Sequence, residues 1–391
     1  MSFHLPLGPF PMHKLLAGLL MALAASLAAA QQIAAPAIAA RSWLLLDATT
    51  NQVLAAHEAD QKFEPASLTK LMTAYIAFSA IKEKRLPLDA RPPVSQAAYK
   101  AIGSRMFIEP ARPATVEELL HGLIVQSGND AAIVLAEAIA GSESAFADLM
   151  NREAQRMGLK NTQFRNASGL PDPQQYSTAR DLATLAARLI EDHPEYYPLY
   201  SKRDYTFNKI RQPNRNRLLF ADPTVDGVKT GYTEAAGYCL IASSKREQAG
   251  ANFQRRLLSV VLGTASESSR AIESQKLLNF GFQNFDAVRL YAKEQPIGSY
   301  QVWKGQTKEI KAGFGENVLV TVAKGQADRV KGEIERVQPL VAPVSKGQRI
   351  GTLRVRHGDQ VIAEEPMIAL EAVEAAGWVG RTWDSIRLWL K

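Results

Sequence analysis

The chain has 391 residues, of which 46 % are apolar, and a formal net charge of +7. This length predicts two or three domains, and the apolar fraction is enough for a sizeable core. No run of Lys and Arg is long enough to indicate a nucleic-acid-binding protein. The six His show no metal-ligand spacing, and the single cysteine, Cys239, excludes an internal disulfide.

The N-terminal segment has the pattern of a secretory signal peptide. Lys14 precedes an apolar run over residues 15–30, which ends in three Ala. The run is shorter than the roughly 20 residues that a transmembrane helix needs. We therefore expect residues 1–30 to be removed on export. Met12 is a second candidate for the start of the signal, because no Lys or Arg precedes it.

The first predicted elements of the mature chain are two strands, 42–47 and 52–55, joined by a turn. Ser67 follows Pro65 and opens a predicted helix, because apolar residues recur after it at helical spacing. Residues 115–170 are predicted to be mainly helical, and their start has the form of a capping box.

The middle of the chain alternates helix and strand patterns. A helix is predicted for 182–190, then strands for 225–230, 238–243 and 257–262, and a closing helix for 271–280. Strands, then helices, then strands and a final helix indicate an α+β fold, in which a mainly antiparallel sheet packs against helices and carries a helical lobe. This order does not fit a doubly wound parallel sheet.

Two further units are predicted after the first domain, which we place at 31–288. Short strands separated by Gly, Lys and Asp predict a small all-β domain over 289–370. Residues 372–391 predict an amphipathic helix with apolar and Trp side chains on one face and Arg and Lys on the other. This pattern favours a helix that lies in the plane of a membrane surface. A helix packed on the protein's own surface is the alternative.

A first short motif, Ser67-Leu68-Thr69-Lys70, combines a nucleophile with a base. Ser and Lys three residues apart on a helix share a face, and free N–H groups at the helix start can stabilise an oxyanion. The amine can take the hydroxyl proton if burial or a nearby cation lowers the pKa of Lys70. An ordinary N-cap serine and a solvated lysine are the alternative. Ser79 and Lys82 repeat the spacing at the far end of the helix, where we expect a structural pair.

Two more motifs follow in the chain. Ser127-Gly128-Asn129 connects two predicted helices, where a hydroxyl and an amide can face a cleft, although these residues also favour plain turns. Lys229-Thr230-Gly231 ends a predicted strand. There Gly permits close backbone approach, Lys and Thr can bind a carboxylate, and a peptide can add to the strand edge. Lys229 is also the candidate cation for Lys70. Each motif alone fits ordinary structure, but the three in this order point to acyl transfer.

The three motifs resemble those of the penicillin-recognising serine acyl-enzymes. Most of residues 40–285 is also similar to the low-molecular-mass D-alanyl-D-alanine carboxypeptidases of bacterial cell walls. The stretches that carry this similarity are 103–107, 126–131, 157–162, 177–181, 214–216 and 225–231. The resemblance implies a β-lactamase/transpeptidase-like catalytic domain, followed by the all-β domain and the amphipathic helix.

The resemblance also implies roles for individual residues. Ser67 is the nucleophile, Lys70 the general base and Ser127 the proton relay, with the backbone N–H groups of Ser67 and Tyr232 as the oxyanion hole. No cofactor and no metal are implied. The residues that it places in substrate binding are Asn129, Arg215, Lys229, Thr230, Gly231 and Tyr232.

The implied substrate is a peptidoglycan pentapeptide that ends in D-Ala-D-Ala, and β-lactam antibiotics are expected to acylate the same serine. The implied location is the periplasmic face of the cytoplasmic membrane, with peripheral attachment through residues 372–391 and no nucleic-acid partner.

The sequence departs from the family pattern at two positions. Tyr232 and Ser168 stand where relatives often carry His, which leaves the strength of carboxylate binding and the rate of deacylation open. Three alternative functions are a class A β-lactamase, a D,D-endopeptidase and a catalytically weak wall-binding relative. The first needs a Glu in the loop after the helical lobe, and none occurs between Ala154 and Ile190.

Overall fold

The computed structural model describes residues 33–389, so the predicted signal peptide and residues 390–391 lie outside the described residues. The α-helices are α1 (Lys70–Lys82), α2 (Gln96–Tyr99), α3 (Val116–His121), α4 (Asn129–Ala140), α5 (Glu143–Arg156), α6 (Ala179–Asp192), α7 (Leu218–Ala221), α8 (Glu267–Asn284) and α9 (Trp378–Trp389). The strands are β1 (Ser42–Asp47), β2 (Gln52–His57), β3 (Asp204–Phe207), β4 (Ile210–Pro213), β5 (Val225–Thr233), β6 (Gly237–Glu247), β7 (Gln254–Thr264), β8 (Phe285–Tyr291), β9 (Gly298–Gln301), β10 (Glu309–Gly313), β11 (Val318–Ala323), β12 (Val330–Arg336), β13 (Arg349–His357) and β14 (Gln360–Ala369).

An antiparallel five-stranded sheet, in the order β2-β1-β7-β6-β5, forms the centre of the first domain. β1 is buried along its whole length because it lies between β2 and β7. Successive side chains of a strand point to opposite faces. Leu44 and Leu46 therefore join the core of the helical lobe, whereas Leu45 packs beside Gly281 of α8. Helices therefore cover both faces of this antiparallel sheet.

The helical lobe follows its capping signals closely. The capping box predicted at Thr115 is present, because Thr115 Oγ1 accepts the Glu118 N–H and the Glu118 carboxylate accepts the Thr115 N–H. The helical pattern predicted to continue to 170 is wrong beyond Arg156, where α5 ends. Residues 159–178 instead form turns and isolated bridges, and part of this segment reaches the candidate site.

The second domain has its own core and two small sheets. One sheet has the order β12-β13-β14-β10-β9, and β8 pairs with β11 in the other. Ile310, Leu353 and Met367 are fully buried in its core. β8 follows α8 without a break, so the predicted boundary between 288 and 289 falls within this strand.

A buried polar cluster joins the two domains. The Arg255 guanidinium donates to the Asp47 carboxylate at 2.7 Å, and both side chains are almost completely buried. Thr321 of β11 donates its hydroxyl to the same carboxylate at 2.6 Å. Arg255 also donates to the Phe285 carbonyl at 2.6 Å. Both members of this ion pair belong to the first domain, and the second domain supplies further hydrogen bonds to each of them.

The C-terminal helix, α9, turns its polar side toward the second domain. The Asp384 carboxylate accepts the Lys304 N–H at 2.6 Å, and the Arg387 guanidinium lies 5.7 Å from the Trp303 ring centroid. The large apolar side chains of α9 are exposed: Trp378, Val379, Trp383, Ile386 and Trp389. Among residues 33–389, no helix is both long enough and apolar enough to span a membrane.

Candidate active site

Ser67 lies in a 3₁₀ turn, Ala66–Thr69, that leads directly into α1. The expectation that Ser67 itself opens the α-helix is wrong, because α1 begins at Lys70. Residues three apart are eclipsed in a 3₁₀ turn, so the two side chains still meet. Lys70 Nζ donates to Ser67 Oγ at 3.1 Å.

The Lys70 amine is held by two further oxygens. It donates to Asn129 Oδ1 at 2.7 Å and to the Ser168 carbonyl at 2.5 Å, and Lys70 is only 1 % exposed. An ammonium has three donors, which match the three oxygens. When the amine loses one proton, it can keep both carbonyl contacts and turn its lone pair toward Ser67 Oγ.

The environment of Lys70 favours the neutral amine. Burial first, and then the charge of Arg215, lower the pKa of Lys70 from 10.5 to about 7, against the opposing charges of Asp130 and Glu143. About half of the Lys70 amines are then free bases at pH 7. The required fall in the pKa is therefore present, and Arg215 is a cation that contributes to it. The expected neighbour, Lys229, also interacts with Lys70, because the charge of Lys70 lowers the pKa of Lys229.

Lys229 and Ser127 form a second buried pair. Ser127 follows a π-helical turn, Gly122–Gln126, and adopts a left-handed conformation with φ of 60°. Lys229 Nζ donates to Ser127 Oγ at 2.8 Å. Burial first, and then the Lys70 amine, lower the pKa of Lys229 well below 10.5. A hydroxyl in contact with this amine can pass a proton in either direction.

Asn129 and Asp130 begin α4 and fasten one wall of the cleft. Asn129 Nδ2 donates to the Ile102 carbonyl at 2.7 Å. The Asp130 carboxylate accepts the N–H groups of Met106, Phe107 and Ile108 at 2.9 to 3.3 Å. The predicted Ser127-Gly128-Asn129 connection thus places Ser127 against Lys229 and Asn129 against Lys70. The adjacent Asp130 holds residues 106–108 beside them.

β5 is the edge strand of the sheet and forms the opposite wall. A Cβ atom at Gly231 would lie 3.3 Å from the Pro65 carbonyl and 3.2 Å from Leu68. Gly231 is therefore needed for close approach to the turn that carries Ser67, as the sequence predicted. Thr230 is buried, whereas Tyr232 is 51 % exposed and its ring lies 4.3 Å from that of Tyr238.

Two guanidinium groups lie at the cleft. Arg215 donates to Ser104 Oγ at 2.6 Å. Arg270, which the sequence reasoning missed, is 4 % exposed and donates to the Gly231 carbonyl at 3.3 Å. Arg270 belongs to α8, outside all three motifs, so only the folded structure shows that it lies beside β5. With Lys229, these groups make the site suitable for an anionic ligand.

The cleft has a volume of about 310 Å³. Its lining includes the predicted residues Ser67, Ser127, Asn129, Arg215, Thr230, Gly231 and Tyr232. Lys70 and Lys229 are the buried amines that contact this lining. A larger cavity of about 460 Å³ lies in the second domain and contains none of these side chains. Chemistry rather than size therefore identifies the site.

Comparison with known families agrees with this arrangement. The sequence model of the D-alanyl-D-alanine carboxypeptidases, peptidase family S11, matches residues 29–266. The chain belongs to this family. The model of the C-terminal domain of penicillin-binding protein 5 matches residues 285–375. Both the resemblance stated from the motifs and the predicted all-β second domain are confirmed.

Individual relatives span most of the chain. D-alanyl-D-alanine carboxypeptidase DacC of Escherichia coli is 42 % identical over 370 residues, which cover 92 % of this chain and 91 % of that protein. Penicillin-binding protein 5 from Haemophilus influenzae has a crystal structure that is 38 % identical, with a TM-score of 0.81, over 88 % of this chain and 99 % of that one. Penicillin-binding protein D2 from Listeria monocytogenes, solved in its ampicillin-bound form, is 29 % identical, with a TM-score of 0.57, over 64 % and 99 %.

Proposed function

We propose that this serine-type carboxypeptidase removes the terminal D-Ala from peptidoglycan stem peptides through an acyl-enzyme on Ser67. Family membership supports the reaction. One observation carries the assignment to Ser67, namely the 3.1 Å contact between its hydroxyl and a buried amine. The lowered pKa of about 7 at Lys70 makes that amine a base at neutral pH.

In the acylation step, the neutral Lys70 amine takes the proton from Ser67 Oγ. The oxygen attacks the carbonyl carbon of the penultimate D-Ala, and the C–O bond forms as negative charge moves to the carbonyl oxygen. The backbone N–H groups of Ser67 and Tyr232 stabilise that oxyanion. The open edge of β5 lets the peptide lie in the cleft as an added strand.

Departure of the terminal D-Ala breaks the C–N bond and requires a proton on the amine nitrogen. Ser127 supplies this proton and regains one from Lys229, whose Nζ lies 2.8 Å from its hydroxyl. The proton that Lys70 took from Ser67 replaces the one that Lys229 gives up, so Lys70 is a free amine again before deacylation. Thr230 and Arg215 hold the terminal carboxylate of the substrate, and the buried Arg270 adds positive charge beside the Gly231 carbonyl.

Water then attacks the acyl-enzyme with Lys70 again as the base. A β-lactam acylates the same serine, but its leaving nitrogen stays tethered to the acyl group and does not diffuse away. Ampicillin bound to a structural relative supports this part of the proposal.

The test is incubation of the purified protein with an N-acylated peptide that ends in D-Ala-D-Ala. We expect release of D-Ala, no release from the matched peptide that ends in D-Ala-L-Ala, and a fluorescent penicillin adduct that mass spectrometry locates on Ser67. Correctly folded protein that releases no D-Ala would instead be a wall-binding relative. An adduct on another side chain would remove Ser67 from the mechanism.

We also propose that α9 binds the outer face of the cytoplasmic membrane after export. Its polar side contacts the second domain, so its apolar side points away from the protein. Trp383 is 64 % exposed and Ile386 49 % exposed, which is unfavourable in water and favourable at a lipid interface. Lys and Arg in the same segment suit anionic lipid headgroups.

Removal of residues 372–391 should abolish partition of the protein to vesicles that contain anionic lipid, as measured by sedimentation. The double variant Trp383→Ser/Ile386→Ser should weaken partition by at least about tenfold, because each buried side chain contributes roughly 1.5–3 kcal/mol. The matched control is Ile272→Ser/Phe220→Ser, which alters side chains of similar exposure on the first domain. Equal partition with and without the C-terminal segment would refute the proposal.

A further inference from the structure

A short loop, 166–170, touches the buried face of the Lys70 base. The Ser168 carbonyl accepts from Lys70 Nζ at 2.5 Å. One residue earlier, the Ala167 carbonyl accepts from Thr73 Oγ1 at 2.7 Å. Lys70 and Thr73 lie three residues apart on α1, so one face of this helix binds two consecutive carbonyls of the loop.

Packing leaves this loop little room. A Cβ atom at Gly169 would lie 1.8 Å from the Ala66 carbonyl oxygen, next to the nucleophile. Inside the loop, Asn166 Oδ1 accepts the N–H groups of Gly169 and Leu170 at 2.7 and 3.2 Å. A displacement of the loop would therefore move the Ser168 carbonyl and with it the amine that must reach Ser67.

The carboxylate of Glu143 binds this loop. This residue is the first of α5, where its carboxylate also suits the positive end of the helix dipole. Glu143 Oε1 accepts the Ala167 N–H at 3.0 Å. Ala167 is bonded to Ser168, whose carbonyl accepts from Lys70 Nζ. Residues 167 and 168 therefore link the Glu143 carboxylate to the Lys70 amine.

Glu143 also acts on Lys70 through its charge. The groups that act on the charge of Lys70 come from several elements. They are Arg215, which favours the neutral amine, and Asp130 of α4 and Glu143 of α5, which favour the ammonium. The amine of Lys229 on β5 also interacts with the charge of Lys70. Burial raises the pKa of Glu143, and so does the charge of Glu137, whereas the Ala167 N–H and the charge of Lys70 lower it.

We propose that Glu143 is a positioning residue for the catalytic base: its carboxylate holds the Ala167 N–H and thereby sets the Ser168 carbonyl that binds the Lys70 amine. The proposal rests on the proposed function, because it assigns a role to the base of that reaction. Glu143 is not among the residues that line the cleft. Its two effects, geometric and electrostatic, can be separated by substitution.

Two variants separate the geometric effect of Glu143 from its electrostatic effect. Glu143→Gln keeps an oxygen acceptor for the Ala167 N–H and removes the charge, whereas Glu143→Ala removes both. In Glu143→Gln, we expect the pH at which penicillin acylation is half-maximal to move to lower pH, with the rate at high pH retained. In Glu143→Ala, we expect the same movement and, in addition, a rate at high pH reduced by about tenfold or more, because small displacements of a base are costly.

The control is Glu153→Gln, which removes a carboxylate from the same helix, where it pairs with Arg156 at the surface. It should leave the pH profile unchanged. If the wild-type protein forms no adduct on Ser67, the proposed function fails. If the wild type reacts but Glu143→Gln keeps the wild-type pH profile, only the electrostatic role fails. Equal high-pH rates in Glu143→Ala and Glu143→Gln would overturn the geometric role, even if both variants unfold at a lower temperature.

Discussion

Acylation of Ser67 should slow by about tenfold for each pH unit below about pH 7 and should change little above it. The reacting form of Lys70 is the free amine, and the pKa of Lys70 is about 7 in the folded protein. Below this value the fraction of free amine falls tenfold per unit, and above it the amine is already free. The measurement is the second-order rate constant of adduct formation with fluorescent penicillin between pH 5 and 9.

Lys70→Met should lower the same rate constant by roughly 10³-fold above pH 7, since general-base catalysis contributes about 10²- to 10⁴-fold. Below pH 7 the difference should shrink, because the wild-type Lys70 amine is itself increasingly protonated. Met keeps most of the side-chain volume, so loss of packing is small. The chain supplies its own control in Lys82, which follows Ser79 at the same spacing on α1. Ser79 bonds to His193 and Lys82 to the Asp192 carbonyl. Lys82→Met should react like the wild type.

Ser67→Ala gives the blank for this experiment, because it removes the oxygen that is acylated. A Lys70→Met variant that reacts within tenfold of the wild-type rate at pH 8 would contradict the role of Lys70. So would a wild-type rate that stays constant from pH 5 to 7. Both outcomes would leave the D-Ala release assay unaffected, so the identity of the base and the identity of the reaction are tested separately.

Local patterns in the sequence were sufficient for much of the fold. β6 and β7 contain runs rich in apolar residues, and α4 to α6 each carry an amphipathic or capping signal. The strands are longer in the structure than predicted, because pairing in a sheet extends them into polar residues such as Lys245. The hairpin of β3 and β4 was missed, since its residues show no clear alternation.

The site was predictable only in part, for a physical reason. Ser67, Lys70, Ser127 and Lys229 belong to short motifs, and sequence order alone made them candidates. Contacts between distant segments decide the rest. Neither the Ser168 carbonyl nor Arg270 has a local signal, because a carbonyl is present at every residue and an isolated Arg is common on helices. The effect of the Arg215 charge on Lys70 was missed for the same reason.

The largest expected effect on stability is at the buried ion pair between Asp47 and Arg255. Asp47→Asn should lower the free energy of unfolding by about 3–5 kcal/mol, because it leaves a buried guanidinium without its counter-charge. Both side chains are at most 1 % exposed, so water cannot replace the lost partner. Urea denaturation followed by fluorescence measures the change. Thr321→Val removes only the hydroxyl contact from the second domain to Asp47, and so measures the contribution of that contact.

The matched control is Asp60→Asn, which breaks an ion pair of the same 2.7 Å length between Asp60 and Arg180 at the surface. There we expect a loss below about 1 kcal/mol, since exposed pairs are screened by water and salt. The double variant Asp47→Leu/Arg255→Met should be more stable than Asp47→Asn, because it buries no unpaired charge. If Asp47→Asn and Asp60→Asn destabilise the protein equally, burial is not what gives the pair its effect. The cluster would then be a contact between the domains rather than a condition for their folding.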